Sequence, residues 1–357
     1  MNKVTDWIKN HQITAFFVIT FAITWGLGFS YSAAQIKSIL WLYPVASLAT
    51  CGPALAGIII TALTRTQPRQ GTRIVFWIAF FVAWVVSALV WLAYLALFSA
   101  TPFSPGVVVF SLVMVIPVAF VISMAYSRIP AVKSYLSSLI RLRGVWGWAL
   151  LALVFYPAMV LLLIPVNHFL GRQPITDYPL PTFDLSLIGL IAVRFLYQFF
   201  FFNATGEEVG WRGFAFPRLQ AHTSPLIASL ILAFFWVPWH LFLWRSQGAP
   251  LNTWSFWVNG GSMIILSSII TGWLFNRSKG SILVAGVIHA ADNTTARVLP
   301  VLDWFGYGYL VLKAIVALVI ILVDRMWKKL PPDHPAIYRS PEYAAQPSME
   351  PTPTLAP

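Results

Sequence analysis

The chain has 357 residues, of which 59% are hydrophobic and only 10% charged, and its mean hydropathy is +0.76. A water-soluble domain carries about 25% charged residues, so this composition excludes a soluble multidomain enzyme. The net charge of +12 does not point to nucleic acid, because the basic residues sit in short connectors between apolar runs and form no aromatic-interleaved stripe open to water.

Ten apolar segments can be drawn, near residues 13–31, 39–63, 74–99, 106–126, 145–169, 184–203, 224–244, 254–275, 281–298 and 304–323. A helical span needs roughly 20 apolar residues. The expectation is an all-α, polytopic integral membrane bundle of about ten transmembrane helices, with a range of eight to ten. The first run is longer than the roughly 7–15 residues of a signal-peptide core, which predicts a retained helix. The segment near 203 is expected to continue as helix towards Pro217. Three regions follow: N-terminal membrane helices over 1–183, a second membrane core over 184–325, and a cytoplasmic disordered tail over 326–357. The tail is rich in Pro, Ser, Thr and Ala and ends without a prenylation box of its own.

Connectors holding Lys3, Lys9, Arg65, Arg69, Arg73, Arg128, Arg141 and Lys279 alternate with connectors that are poor in basic residues. The positive-inside rule then places both termini in the cytoplasm, with the plasma membrane as the expected location. Arg194 and Lys313 fall inside apolar segments, and the sequence assigns neither a role. The single cysteine, Cys51, excludes an internal disulfide and a cysteine-based metal cluster.

Three polar sites interrupt the apolar helices, and charges in such segments are functional candidates by default. The first is Glu207-Glu208-Val-Gly-Trp-Arg212. Glu208 and Arg212 are four apart in the favourable order for an intrahelical pair, whereas Glu207 is rotated away and has no obvious partner. Gly206 and Gly210 share a face and permit close helix contact. The second site is Trp236-Val-Pro-Trp-His240, where Pro238 should kink the helix just before the histidine. The third is His289-Ala-Ala-Asp292-Asn293, with His289 and Asn293 on one face. Taken singly, each has a purely architectural reading: a buried ion pair, a packing histidine, or interhelical hydrogen bonding.

Together the three sites resemble the CPBP family of CAAX-protease and bacteriocin-processing intramembrane proteases, also called the Abi family. The family boxes are E-E-x-x-x-R, F-x-x-x-H and H-x-x-x-N. Glu207, Glu208 and Arg212 match the first, His240 the second with Trp236 in place of phenylalanine, and His289 and Asn293 the third. The resemblance covers about residues 190–298. It implies an intramembrane endopeptidase acting on a membrane protein or peptide, lipid-modified in the CAAX case. Glu207 would be the general base on a water, helped by His240; His289 and Asn293 would stabilise the oxyanion; Glu208 and Arg212 would give structural support. A glutamate-activated water requires no cofactor. Two His and one Glu also suit catalytic zinc, so Glu207, His240 and His289 form an alternative metal set, and the family has carried a metalloprotease label. The competing class is a non-catalytic bacteriocin-immunity or membrane scaffold protein. The lipid bilayer is a partner in either case; nucleic acid is not.

Overall fold

The computed structural model describes residues 3–33, 43–99, 102–171, 184–299 and 307–338, and among these every regular element is helical. The chain opens with α1 (Lys3–Asn10), α2 (Gln12–Ala33), α3 (Tyr43–Thr50) and α4 (Gly52–Leu63). These are followed by α5 (Arg73–Phe98), α6 (Pro105–Tyr126), α7 (Pro130–Ile140) and α8 (Trp146–Phe169). The second half contains α9 (Leu185–Gln220), α10 (Pro225–Trp239), α11 (Leu241–Ser246), α12 (Trp254–Arg277), α13 (Ile282–Val298) and α14 (Gly308–Val323).

Among the described residues, seven helical stretches are long and apolar enough to cross a bilayer: α2, α5, α6, α8, α9, α10 with α11, and α12. The other three expected segments are shorter helices. The segment drawn over 39–63 is broken at Cys51, where Pro53 supplies no N–H. α13 and α14 have 17 and 16 residues. This is a polytopic helical membrane bundle, as its composition implies. In hydrocarbon every backbone polar group must be satisfied within the protein, which leaves helices as the economical solution. The outer surface is correspondingly apolar: α5 exposes Ile74, Trp77, Phe81, Val85 and Leu89. The polar side chains lie inside, with Glu207, Glu208, Arg212, His289 and Lys313 all buried.

The three helices that carry the candidate site each begin with a side-chain cap. Asp184 Oδ1 accepts from the Leu187 amide at 2.8 Å and from the Ser186 hydroxyl at 2.6 Å at the start of α9. The Ser186 hydroxyl, with the Leu187 amide, holds this carboxyl below its ordinary pKa. Ser224, followed by Pro225, caps α10, and Ser281 caps α13. Such caps satisfy amides that the first helical turn leaves unpaired and contribute about 1 kcal/mol each.

α9 runs unbroken through the glutamate pair to Gln220, but not as a uniform α-helix. Residues Phe199–Glu208 and Trp211–Ala215 form wider, π-type turns. The Thr205 hydroxyl donates to the carbonyl of Phe200, five residues back. Widened turns are rare and are enriched at functional sites. Small residues let neighbours reach this stretch. A side chain at Gly206 would meet the Thr50 carbonyl oxygen at 2.9 Å, and one at Gly210 would collide with Pro53. The break between α3 and α4 therefore packs directly on the glutamate-bearing turns, as the small-residue spacing implied. On the opposite side, α13 approaches through Gly286, against Ala204.

Disorder was expected from residue 326 onward, yet residues 326–338 pack against the bundle. Met326 and Ala336 are buried. The Ala336 carbonyl accepts from Gln220, the Tyr338 amide donates to the Pro217 carbonyl, and the Tyr338 ring lies over Arg218. A polar, proline-rich composition describes the segment's average, but a few anchoring side chains suffice to dock it. The remainder of the predicted tail, 339–357, lies outside the described residues.

Candidate active site

The site forms where α9, α10 and α13 meet. Glu208 and Arg212 make the expected intrahelical pair, Arg212 Nη1 to Glu208 Oε1 at 2.9 Å, with both side chains fully buried. The same carboxylate oxygen is 2.8 Å from His289 Nδ1. Glu208 thus binds its own helix to α13, and its role is interhelical as well as intrahelical.

Glu207 is 4% exposed and, contrary to the expectation from spacing, is not without partners. Trp236 Nε1 donates to its Oε2 at 2.7 Å, and Asn203 Nδ2, one turn back on α9, makes a longer 3.5 Å contact with Oε1. An unpartnered buried carboxylate would be costly; here α10 supplies the donor. His289 also lies near enough to Glu207 to interact with it electrostatically.

Pro238 does what the sequence predicts. α10 ends at Trp239, and His240 sits at the junction with α11, its amide bonded to the Val237 carbonyl. His240 Nδ1 is 2.8 Å from the Trp236 carbonyl oxygen. A carbonyl only accepts, so this contact puts a proton on Nδ1 and leaves Nε2 of the neutral ring as an acceptor. The ring is half-buried, stacked on Trp244 at 5.3 Å and edge-on to Trp239 at 4.9 Å. Asn293 is half-buried one turn beyond His289, with no side-chain hydrogen bond among the described residues.

Trp236 is the residue that joins these groups. Its indole N–H holds Glu207 and its carbonyl holds His240. Its ring face receives Arg212 at 4.5 Å, and its ring meets His289 edge-on at 5.1 Å and 85°. From the sequence, Trp236 is an aromatic substitution in the second box. The signal available was chemical: tryptophan has an N–H donor that phenylalanine lacks. Asn203 was missed as well, although it stands four residues from Glu207.

The residues of the alternative zinc set, Glu207, His240 and His289, are each hydrogen-bonded within the protein. His289 Nδ1 is committed to Glu208, Glu207 to Trp236, and His240 Nδ1 to a backbone carbonyl. Among the described residues, no group of three or more His, Cys, Asp or Glu side chains is placed to hold a metal ion.

Two comparisons bear on this arrangement. Residues 188–295 match the model of the family described as Type II CAAX prenyl endopeptidase Rce1-like. The chain is also 32% identical over 127 residues to CAAX prenyl protease 2 of Methanococcus maripaludis. That alignment covers 34% of this chain and 47% of the relative, so the chain spans about half of the relative's length. The matched region contains all three polar sites and the helices that bring them together, and over it the chain is similar to Rce1-like CAAX prenyl endopeptidases.

Proposed function

We propose that this protein is an intramembrane endopeptidase of the CAAX prenyl protease type. The observation that carries the reading is the convergence of Glu207, His240 and His289 on Trp236. On this reading, a water bound between Glu207 and His240 Nε2 loses a proton to the Glu207 carboxylate and attacks the scissile carbonyl carbon. The oxyanion is met by the Asn293 carboxamide N–H and by His289 Nε2–H. For His289 to donate from Nε2 while Nδ1 faces Glu208, both nitrogens must be protonated, and a carboxylate at 2.8 Å is the natural partner of such an imidazolium. As the tetrahedral intermediate collapses, the C–N bond breaks and the proton taken from water passes to the leaving amine. General-base and oxyanion contributions of this kind are each worth roughly 10²–10⁴-fold and 10²–10³-fold in rate.

The substrate class proposed is a membrane-associated protein or peptide with a lipid-modified C-terminal CAAX segment. The chain would sit in the plasma membrane with both termini in the cytoplasm, so reporter fusions at Arg172 and Pro357 should report opposite sides. The decisive assay uses a prenylated CAAX peptide in vesicles with wild-type protein and Glu207→Gln, each with and without a strong chelator. Cleavage by the wild type alone, indifferent to the chelator, is expected. Wild-type turnover in Glu207→Gln would eliminate the mechanism. Chelator inhibition reversed by zinc would make Glu207, His240 and His289 metal ligands instead.

A further inference from the structure

A second polar feature lies away from the site, at the end of the bundle where α9 ends and α13 begins. It is a cleft of about 1000 Å³, open to the surface, at the upper end of the ~300–1000 Å³ typical of small-molecule pockets. Its walls carry Lys9, Arg65, Arg141, Arg218 and Lys279, and among the described residues no Asp or Glu lines it. The floor reaches Gly213 and Tyr135, whose hydroxyl donates to the Val209 carbonyl between the two widened stretches of α9.

Topology alone would put basic residues at this end, exposed and solvated. Arg218 departs from that pattern. It is only 7% exposed, and its guanidinium is sandwiched between the Phe214 and Tyr338 rings at 3.6 Å from each. Its hydrogen bonds go to neutral acceptors, Gln12 Oε1 at 2.9 Å and the Phe214 carbonyl at 3.0 Å. Among the described residues no carboxylate pairs with it. A buried cation without a counter-charge is costly, and here it borders a cavity in which every other charge has the same sign. Exposed tryptophans, Trp7, Trp77, Trp146 and Trp327, stand on helix termini or connectors that also carry basic residues. Tryptophan in such positions marks the level of lipid headgroups, and basic pockets at that level bind anionic headgroups.

We infer that this cleft binds the phosphate of an anionic phospholipid, with Arg218 at its base and Arg141 and Lys279 at its mouth. The ligand would touch α1, α7 and α9 together and so fasten the base-bearing helix to the first half of the chain. The binding site is separate from the peptidase reading and stands or falls without it.

The test uses full-length protein in nanodiscs of phosphatidylcholine with or without phosphatidylglycerol, and native mass spectrometry after mild detergent extraction. The wild type should melt several degrees higher with phosphatidylglycerol and carry a single bound copy into the spectrometer. The double variant Arg141→Gln/Lys279→Asn should lose both effects. Lys279 has φ +59°, a conformation asparagine tolerates well, so this variant should fold. Lys328→Gln/Lys329→Gln, which removes equal charge from exposed positions outside the cleft, should keep both effects. Equal responses of the two double variants, or no response in the wild type, would overturn the site. A rise caused by inorganic phosphate alone, with no lipid retained, would overturn the lipid assignment.

Discussion

α13 carries two buried charged clusters within four residues, and they are built differently. At His289 it joins Glu208 and Arg212. At Asp292 it joins Lys313 of α14, with Nζ to Oδ2 at 2.9 Å, together with Ser267 at 3.1 Å and Tyr309 at 3.3 Å. In the second cluster both carboxylate oxygens are engaged, and Lys313 also donates to Ser267 at 2.7 Å and lies 4.6 Å over the Tyr156 ring. In the first, Glu208 Oε2, Arg212 Nε and Nη2, and Asn203 Oδ1 have no hydrogen-bond partner among the described residues.

Fully satisfied buried networks rigidify a core, whereas partly satisfied ones are expensive to keep. The Asp292–Lys313 cluster therefore reads as a fastener between α13 and α14. The Glu208–Arg212–His289 cluster keeps hydrogen-bonding capacity unused, and on the proposed mechanism it stands beside groups that must accommodate a water and a peptide. Both clusters contain carboxylates paired with buried cations inside the bundle, so charge and position in the bundle alone do not separate architecture from chemistry. Completeness of hydrogen bonding at the carboxylate does: both oxygens of Asp292 are engaged, whereas Glu208 Oε2 is not.

The comparison is tested most severely at Glu207. Glu207→Gln preserves shape and removes basicity, and turnover of a reconstituted substrate should fall by roughly 10²–10⁴-fold with an unchanged melting midpoint. Next in size are His289→Ala and Asn293→Ala. Each removes one oxyanion donor and should lower kcat by about 10²–10³-fold with little change in KM; a change confined to KM would assign them to binding. Smaller again is Trp236→Phe, which restores the residue usual in the family box. Phenylalanine keeps the packing against Arg212 and His289 but removes the N–H that holds Glu207. A hydrogen bond to a charged group contributes about 1.5–3 kcal/mol, so a fall of roughly 10–100-fold in kcat is expected at constant KM. A variant with wild-type kcat would reduce Trp236 to a packing residue.

Much of this site was legible in the chain. The spacing of Glu208 and Arg212, the proline ahead of His240, and the small residues at 206 and 210 each specify a local geometry that the structure repeats. What escaped reading was set across helices. The partner of Glu207 lies 29 positions away and that of His289 lies 81 away. The widened turns of α9 also displace its side chains from the positions a regular helix would give them. Lys313 illustrates the same limit. As a lone cation in an apolar segment it has no local partner; its carboxylate is 21 residues back, on another helix. Arg194 likewise finds its environment across helices, bonded to the Tyr94 hydroxyl and flanked by Phe98 and Tyr197.

The smallest effect on turnover is expected at the second cluster, and it is the sharpest check on the comparison. Asp292→Asn makes the same chemical change as Glu207→Gln, a carboxylate to a carboxamide, next to Asn293. It leaves Lys313, only 2% exposed, buried without its counter-charge. Breaking one side of a buried pair costs about 3–5 kcal/mol, so the single variant should melt lower and give less folded protein. Each molecule that does fold should turn over substrate as the wild type does. In the double variant Asp292→Asn/Lys313→Met both charges are gone, and replacing both partners of a buried pair is often neutral for stability. The melting midpoint should therefore recover, with turnover unchanged. If the double variant recovers its fold but loses as much turnover as Asn293→Ala, the Asp292 cluster belongs to the chemistry, and completeness of hydrogen bonding does not separate the two sites.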